Sequence, residues 1–310
     1  MLRIAIQGKL SEGTKFIELI RNNSDCILSG LCTKTDNQLI KQEKLIDHPV
    51  PIFDNINDLC LISDAIIFLN HSESGVDEVK QALRKSKHVF IHPQDILNPE
   101  ILREYHNLAE EAGVLFYIFH KPIKKDLEDH IQNFSGYPEF IDIYRYAIEP
   151  EENKPADLNK LILQEILFLT SVNQQAIKNF KIVSVPYCSE EPYFVNLRID
   201  FANSNSANLT INKFSGVDSR FSEIYFNHRM LRVNTLEKDI RVFHRNKQET
   251  DAFPLKTTLQ DEFDPGGDIE RFIKKLRASE FPANSFESGI NAHLISWEIL
   301  KKVSPAHFEK

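Results

Sequence analysis

The chain has 310 residues, 42% of them hydrophobic and 26% charged, with a formal net charge of -8. This is the balance of an ordinary globular protein, long enough for two domains and for a core that needs no disulfide or metal support. It excludes disorder, collagen and coiled coil. The acidic surplus predicts no nucleic-acid or anionic-membrane partner, because phosphate contacts need a concentrated positive field.

Residues 2–7 form a compact apolar run leading into Gly8, and Phe16, Ile17, Leu19 and Ile20 follow at helical spacing. Further apolar runs fall at 26–32, 50–53, 64–69, 87–91 and 113–119, with amphipathic helical stretches at 75–85 and 98–112. Continuous apolar strands separated by helices predict a parallel sheet covered on both faces. The reading is a doubly wound α/β domain of the Rossmann type over residues 1–121. Residues 121–138 are polar, with Pro122, Gly136 and Pro138, and mark a crossing between domains. Residues 155–175 read as one helix. Alternating runs at 180–185, 193–201, 207–214, 222–226 and 240–243 then predict an antiparallel sheet. After a break at 264–267, two helices at 268–278 and 285–303 pack back onto a domain. Residues 122–310 thus form a C-terminal α+β domain with a large, mostly antiparallel open sheet.

Cys26, Cys32, Cys60 and Cys188 form no CxxC pair and show no metal-ligand spacing. The first three sit in apolar stretches, as buried free thiols do. The first ten residues carry Arg3 and Lys9 and no long apolar run, so no signal peptide is expected. No apolar run is long enough to cross a bilayer. A reducing cytoplasm and no membrane partner are the expectations.

The turn after the first strand reads Gly8-Lys9-Leu10-Ser11-Glu12-Gly13. A strand, a glycine and a helix N-terminus form the place where a dinucleotide pyrophosphate sits, bound by unpaired N–H groups. The fingerprint is GxGxxG. Its first and third glycines are Gly8 and Gly13, while Leu10 replaces the middle one that lets the backbone approach the phosphates. The acid expected about 20 residues on, to bind the adenosine ribose, is absent. Thr33 and Lys34 stand there, which suits a ribose 2′-phosphate better than a bare hydroxyl. Candidate cofactor-binding residues are therefore Gly8, Lys9, Leu10, Gly13, Thr33 and Lys34.

Four segments carry a wider pattern: DAIIFL from Asp64, ALRKSKHVF from Ala82, LAEEAGV from Leu108 and FESGINA from Phe286. With the order of elements, they resemble the glucose-fructose oxidoreductase, inositol dehydrogenase and rhizopine-catabolism (Gfo/Idh/MocA) family of NAD(P)-dependent enzymes. Its corresponding stretches read DAVVIAT, then ALxxGKHV, then AxExGV, with a closing EdGlkAl helix. The resemblance implies a Rossmann domain binding NADP or NAD. It also implies a sugar, polyol or similar small hydroxy or carbonyl substrate, and a second domain whose open sheet builds a homodimer or higher homo-oligomer. Aligned without a gap, the family's Glu-Lys-Pro motif falls on His92, Pro93 and Gln94. Its substrate-side HxxD falls on Ile162 to Glu165, keeping the acid as Glu165. Its strand-four turn, Thr-Pro-Asn, falls on Asn70, His71 and Ser72, which adds Asn70 and His71 to the cofactor-side residues.

His71, His92 and His120 each follow a successive parallel strand. In a sheet of the usual order these strand ends are neighbours on the edge where ligands bind. Three readings fit such a trio. The imidazoles hydrogen-bond loop carbonyls, or His92 titrates near neutrality and replaces the family's lysine as acid/base. Alternatively, three imidazoles ligate a metal such as Zn²⁺ with one position open. Lys121 is a displaced ammonium candidate. His92, Lys121 and Glu165 are thus the catalytic candidates, His120 joins the cofactor-side set, and no metal site is assigned. The function expected is NAD(P)-dependent oxidation or reduction of a small molecule. The alternative is an inactive family member kept as a ligand-binding or scaffold protein, since fold alone does not decide between them.

Overall fold

The computed structural model describes residues 1–8, 13–33, 50–71, 75–93, 96–119, 127, 131, 134, 136–148, 157–173, 175–186, 192–234, 237, 239–244, 251–254, 266–278 and 288–304. In chain order the first elements are β1 (Leu2–Gln7), α1 (Thr14–Arg21), β2 (Cys26–Cys32), β3 (Ile52–Phe53), α2 (Ile56–Ile62), β4 (Ala65–His71), α3 (Val76–Arg84), β5 (His88–Pro93), α4 (Pro99–Ala112) and β6 (Phe116–Ile118). There follow β7 (Phe140–Tyr146), α5 (Leu158–Val172), β8 (Ile177–Pro186), β9 (Pro192–Phe201), β10 (Ser206–Asn212), β11 (Ser219–Phe226), β12 (Arg229–Asn234), β13 (Asp239–His244), β14 (Asp251–Pro254), α6 (Gly266–Ala278) and α7 (Ser288–Val303). The chain divides into two compact units, Met1–His120 with Phe263–His293, and Lys121–Glu262 with Leu294–Lys310.

The first unit is a six-stranded sheet in the order β3-β2-β1-β4-β5-β6, with every pairing parallel. Strand order reverses between β1 and β4, the place in a doubly wound sheet where ligands bind beyond the strand ends. Ile4 and Ile6 of β1, Ile67 of β4 and Phe90 of β5 are buried with Phe16 and Ile20 of α1 and with Ile269, Phe272 and Ile273 of α6. Leu59, Val79, Leu83, Leu102 and Tyr105, from α2, α3 and α4, are buried as well. The strands are apolar throughout because both faces are covered. Local chemistry punctuates the helices. Asn55 caps α2 by accepting from the Asp58 N–H, and Asn98 caps α4 ahead of Pro99. Gly113 ends α4 in the left-handed region at φ 65°.

The second unit is an eight-stranded sheet in the order β14-β13-β12-β11-β7-β10-β9-β8. All its pairs are antiparallel except β7 with β10. The first strand in sequence, β7, thus lies in the interior between β10 and β11. Ile141, Ile143, Val195, Leu197, Ile199, Ala207, Leu209, Ile211, Ile224, Leu231 and Val233 are buried, and the residues between them are more open. That alternation is the signature of a sheet with one face on a core. Helix α5 lies against β10 and is buried on nearly every side.

The expected parallel sheet and mostly antiparallel sheet are both present. The structure adds β7, β12, β14 and α2, which the apolar runs did not disclose. It also differs at the C-terminal side. Residues 263–293, expected with the second domain, belong to the first unit. The cause is α6, whose Ile269, Phe272, Ile273 and Leu276 complete the core of the first sheet. Phe272 meets Phe90 edge-on at 5.5 Å and Tyr117 at 5.8 Å. Phe272→Ala is expected to lower unfolding stability by about 3–5 kcal/mol, the range for truncating a fully buried phenylalanine. Urea denaturation monitors it, and a loss well under 1 kcal/mol (roughly a surface substitution) would detach α6 from this core.

Candidate functional site

The turn between β1 and α1 is built on a close approach. Gly8 has φ 134°, and a Cβ there would lie 2.7 Å from the Leu69 carbonyl oxygen and 2.9 Å from Leu69 Cβ. Only glycine meets both conditions. Its N–H donates to the Cys32 carbonyl at 3.0 Å, so β1, β2 and β4 are drawn together where the turn begins. Gly13 stands immediately before α1, no side chain caps this helix, and its first turn carries no acid. The first turn of α1 therefore carries no carboxylate of its own against the helix dipole. Gln7, the last residue of β1, donates from Nε2 to Glu78 Oε2 at 2.5 Å, tying the strand end to the first turn of α3. Sequence reading did not single out this pair, since nothing in either segment marks it.

Thr33 follows β2 and is buried at 5% exposure, a hydroxyl where the ribose-binding acid was sought. Lys9, Leu10 and Lys34 lie outside the described residues, as do His120 and Lys121. Asn70 and His71 belong to β4, whose pairing with β5 is irregular between Phe68 and His71. Their side chains are outside the described set.

His92 is the histidine of the trio whose surroundings are described. It lies near the end of β5, two residues after Phe90, on the face that carries α1. Its ring meets the Phe119 ring edge-on at 4.9 Å and lies 6.1 Å from Phe16. Burial pulls its pKa down to about 4, against the weaker opposing pull of the Asp268 charge. The imidazole is thus neutral at neutral pH, a state that suits the hydrogen-bonding reading of the trio better than the acid/base one. Asp268, fully buried in the first turn of α6, accepts from the Tyr117 hydroxyl at 2.9 Å. Asp268 and Tyr117 were missed because 151 residues separate them; only a buried acid just after a Gly-Gly break hinted at a role.

Two other histidines, half-buried His88 and fully buried His293, serve as backbone acceptors. His88 Nδ1 accepts from the Leu115 N–H at 3.0 Å, and His293 Nδ1 accepts from the Leu97 N–H at 3.1 Å. Sequence reading found no partner for His293. Burial lowers the pKa of both, that of His293 to about 3. Among the described residues no three His, Cys, Asp or Glu side chains gather as a metal site.

Glu165 belongs to the second unit, on α5. Both of its carboxylate oxygens accept from Arg220 Nε at 2.9 Å, and the guanidinium covers the Phe168 ring at 3.8 Å. Its side chain is 4% exposed. Ile162, where the family motif has a histidine, is a fully buried core residue. Arg220 was not foreseen, because the alternating run containing it was read as starting at residue 222.

The buried neutral histidines set a pH dependence. An unfolded chain protonates its histidines below their ordinary value of 6.5, whereas the folded chain resists until about 4 at His92 and about 3 at His293. Their contribution to stability is complete above pH 6.5 and is lost as pH falls through that window, by about 1.4 kcal/mol per pH unit for each histidine. His92→Gln should flatten the fall in urea midpoint between pH 6 and pH 4 (roughly the His92 window). Identical slopes in the two proteins would show that His92 does not stay neutral on folding.

No family model matches the chain, and no curated protein matches it in sequence. Solved structures match along nearly its whole length. UDP-N-acetylglucosamine 3-dehydrogenase from Acidithiobacillus ferrooxidans is 16% identical, with 98% of this chain and 97% of that one covered at a TM-score of 0.79. A Gfo/Idh/MocA family oxidoreductase from Vibrio cholerae is 13% identical, with both chains covered at 100% and a TM-score of 0.79. Biliverdin reductase from Synechocystis sp., solved with biliverdin and NADP+, is 12% identical over 98% of this chain and 99% of that one, at a TM-score of 0.71. Such identities speak for architecture, and on that ground the chain has the fold of the Gfo/Idh/MocA oxidoreductases.

Proposed function

We propose that this protein is an NAD(P)-linked oxidoreductase acting on a sugar, polyol or similar small hydroxy or carbonyl compound. The observation that carries the reading is Gly8, whose positive φ and contact with Leu69 leave room for glycine alone at the switch point of the parallel sheet. A turn shaped that way, followed by a helix end with no capping side chain, fits a dinucleotide pyrophosphate. The full-length likeness to dehydrogenases supports the same reading. When bound, a nicotinamide dinucleotide supplies the hydride chemistry. This chain's part is to hold the pyrophosphate on the Gly8–Gly13 turn and to move one proton at the substrate oxygen. Lys34 beside Thr33 favours NADP over NAD.

Three residues were candidates for the proton. His92 is neutral at neutral pH and enclosed by Phe16 and Phe119, which suits packing and hydrogen bonding at the sheet edge better than proton storage. Glu165 has both oxygens on Arg220. Lys121 is the proton carrier in this reading. The commitments of His92 and Glu165 favour one alternative: a family member that binds ligand without turning it over.

The buried free thiols Cys26, Cys32 and Cys60 support a reducing, cytoplasmic setting. No helix among the described residues is long and apolar enough to cross a membrane. The second sheet, with α5 on one face, supports assembly into a homodimer or larger homo-oligomer through its other face.

Titration of nicotinamide fluorescence tests the proposal. NADPH is expected to bind in the micromolar range and NADH more weakly, while no binding of either at millimolar concentration overturns it. With a substrate in hand, Lys121→Met should lower kcat by about a hundredfold or more, the usual worth of a positioned acid/base, and leave NADPH affinity unchanged. Binding of NADPH without turnover across a panel of carbonyls and polyols would select the ligand-binding alternative.

A further inference from the structure

One end of the second sheet gathers cations on the face toward α5. Arg145, the penultimate residue of β7, stands directly opposite Arg220 of β11. On its other side Arg145 is in register with Ile211 of β10, and Lys213 lies two residues further along. The ladder continues past the end of β10, because the Lys213 N–H donates to the Tyr193 carbonyl at 2.8 Å. A strand alternates its side chains, so Lys213 shares the face of Ile211, Arg145 and Arg220. It is 3% exposed there. Cations gathered on neighbouring strands, two of them directly opposite each other, destabilise a sheet unless negative charge answers them.

The chain answers them unevenly. Buried Glu165 gives both oxygens to Arg220. Asp218 pairs with Arg145, but its side chain is 57% exposed, and an ion pair so open to water is weak. Arg145 also donates to the neutral carbonyls of Tyr146 and Ser219. Asp157, the acid that caps α5, accepts from the Asn159 N–H. Guanidinium groups match the paired oxygens of a carboxylate or a phosphate, and an ammonium adds a point charge. Beside the cations stands an aromatic wall. The Tyr193 ring centre lies 5.5 Å from Lys213 Nζ and 4.8 Å from the Phe214 ring, with 31° between the two planes. Phe214 is 58% exposed, and its N–H is fixed on Asn212 Oδ1 at 2.8 Å. An exposed phenyl ring backed by a second ring suits the stacking of a flat group.

We infer that this end of the second unit selects a substrate carrying a carboxylate or phosphate on a planar ring, with Lys213, Arg145 and Arg220 taking the anion and Phe214 the ring. The inference deepens the function proposed above, since it names the class of the hydroxy or carbonyl compound, and it rests on that reading. Glu165 is the link. It lies in the segment aligned with the family's substrate-side motif, and it holds Arg220 in place. A plain sugar or polyol answers neither feature. Its neutral hydroxyls would meet three gathered cations, and Phe214 would stay bare to water. A ring-bearing acid meets both, because the charge settles among the cations while the ring covers exposed apolar surface.

Calorimetric titration with phenyl phosphate, benzoate and inorganic phosphate tests this, with and without saturating NADP+ to occupy the Gly8 turn. Phenyl phosphate or benzoate should bind about tenfold or more tightly than inorganic phosphate, the worth of one stacked ring. The tighter of the two names the acid. Phe214→Ala should remove that advantage. Lys213→Gln should weaken the ring-bearing acid by about tenfold or more, as loss of a charge-assisted hydrogen bond does, and Lys213→Arg should restore most of it. Circular dichroism checks that the variants fold. Should Lys213→Gln fail that check, Phe214→Ala, at an exposed position, decides. No binding of any probe at millimolar concentration overturns the inference. So does a ring-bearing acid bound no better than inorganic phosphate, or one indifferent to Lys213→Gln in a folded chain. The NADPH titration reads the oxidoreductase proposal separately. NADPH binding without anion binding overturns this site alone, whereas a ring-bearing acid held by a chain that takes no NADPH supports the site and overturns the oxidoreductase.

Discussion

The first unit depends on one aromatic contact set. Phe90, the third residue of β5, stacks on Tyr117 at 5.3 Å and meets Phe16 of α1 at 6.0 Å and Phe272 of α6 at 5.5 Å. Four large side chains from four elements share one buried volume, so the sheet, the first helix and a helix from far along the chain are placed by the same packing. Aromatic pairs in edge-on and offset geometries add to the area they bury. A dry, closely packed region results, and whatever polar group stands at its margin takes its properties from it.

His92 is that group. It follows Phe90 by two residues, so its ring points to the same face of the sheet and into the edge of the aromatic cluster, against Phe16 and Phe119. Desolvation there outweighs the attraction of Asp268 and holds the imidazole neutral. The next residue, Pro93, points to the other face and has no titratable group. A strand alternates its side chains, so the aromatic packing that fixes β5 also decides that the half-buried histidine faces the cluster and the proline is turned away. Under the function proposed above, the proton moved at the substrate oxygen comes from a loop beyond the strand ends. Loops are where catalytic groups on a rigid sheet are usually found.

Much of this fold was legible in the residues. Apolar runs longer than chance and helices of clear period gave the parallel sheet, and Gly8 announced the turn that its φ and its contact with Leu69 then explained. Two kinds of element were hidden. Strand β7 reads FIDIYRY, where Asp142 and Arg145 break an apolar run, and its interior place between β10 and β11 comes from pairings more than sixty residues away. Strand β12, RMLRVN, alternates too, yet its arginines resemble a loop until Arg232 is seen answering Glu223. The position of α6 was illegible for a different reason. Its apolar face fits either sheet in principle, and only the gap beside Phe90 selects the first. The neutral state of His92 was equally hidden, because a pKa is a property of surroundings and the sequence shows only the side chain.

The second unit shows what becomes of charges placed on a core face. Arg145 and Arg220 are cross-strand neighbours on β7 and β11, on the face toward α5. Two adjacent guanidinium groups at a helix interface would repel, and each has its own acid: Glu165 on α5 for Arg220, and Asp218 in the preceding loop for Arg145. Arg145 also donates to the carbonyls of Tyr146 and Ser219. Removing one partner from the buried Arg220–Glu165 pair leaves an uncompensated charge, at a cost of about 3–5 kcal/mol, whereas Asp218 is largely exposed and its pair is worth far less. Such pairs are held by mutual necessity. A carboxylate held in this way joins the helix to the sheet, and it is a poor source of a proton for anything else. The same requirement acts on the opposite face, where Asp142 and Glu223 are also cross-strand neighbours of like sign. There the chain supplies a cation for Glu223, while the side-chain partner of Asp142 is the neutral Tyr144 hydroxyl.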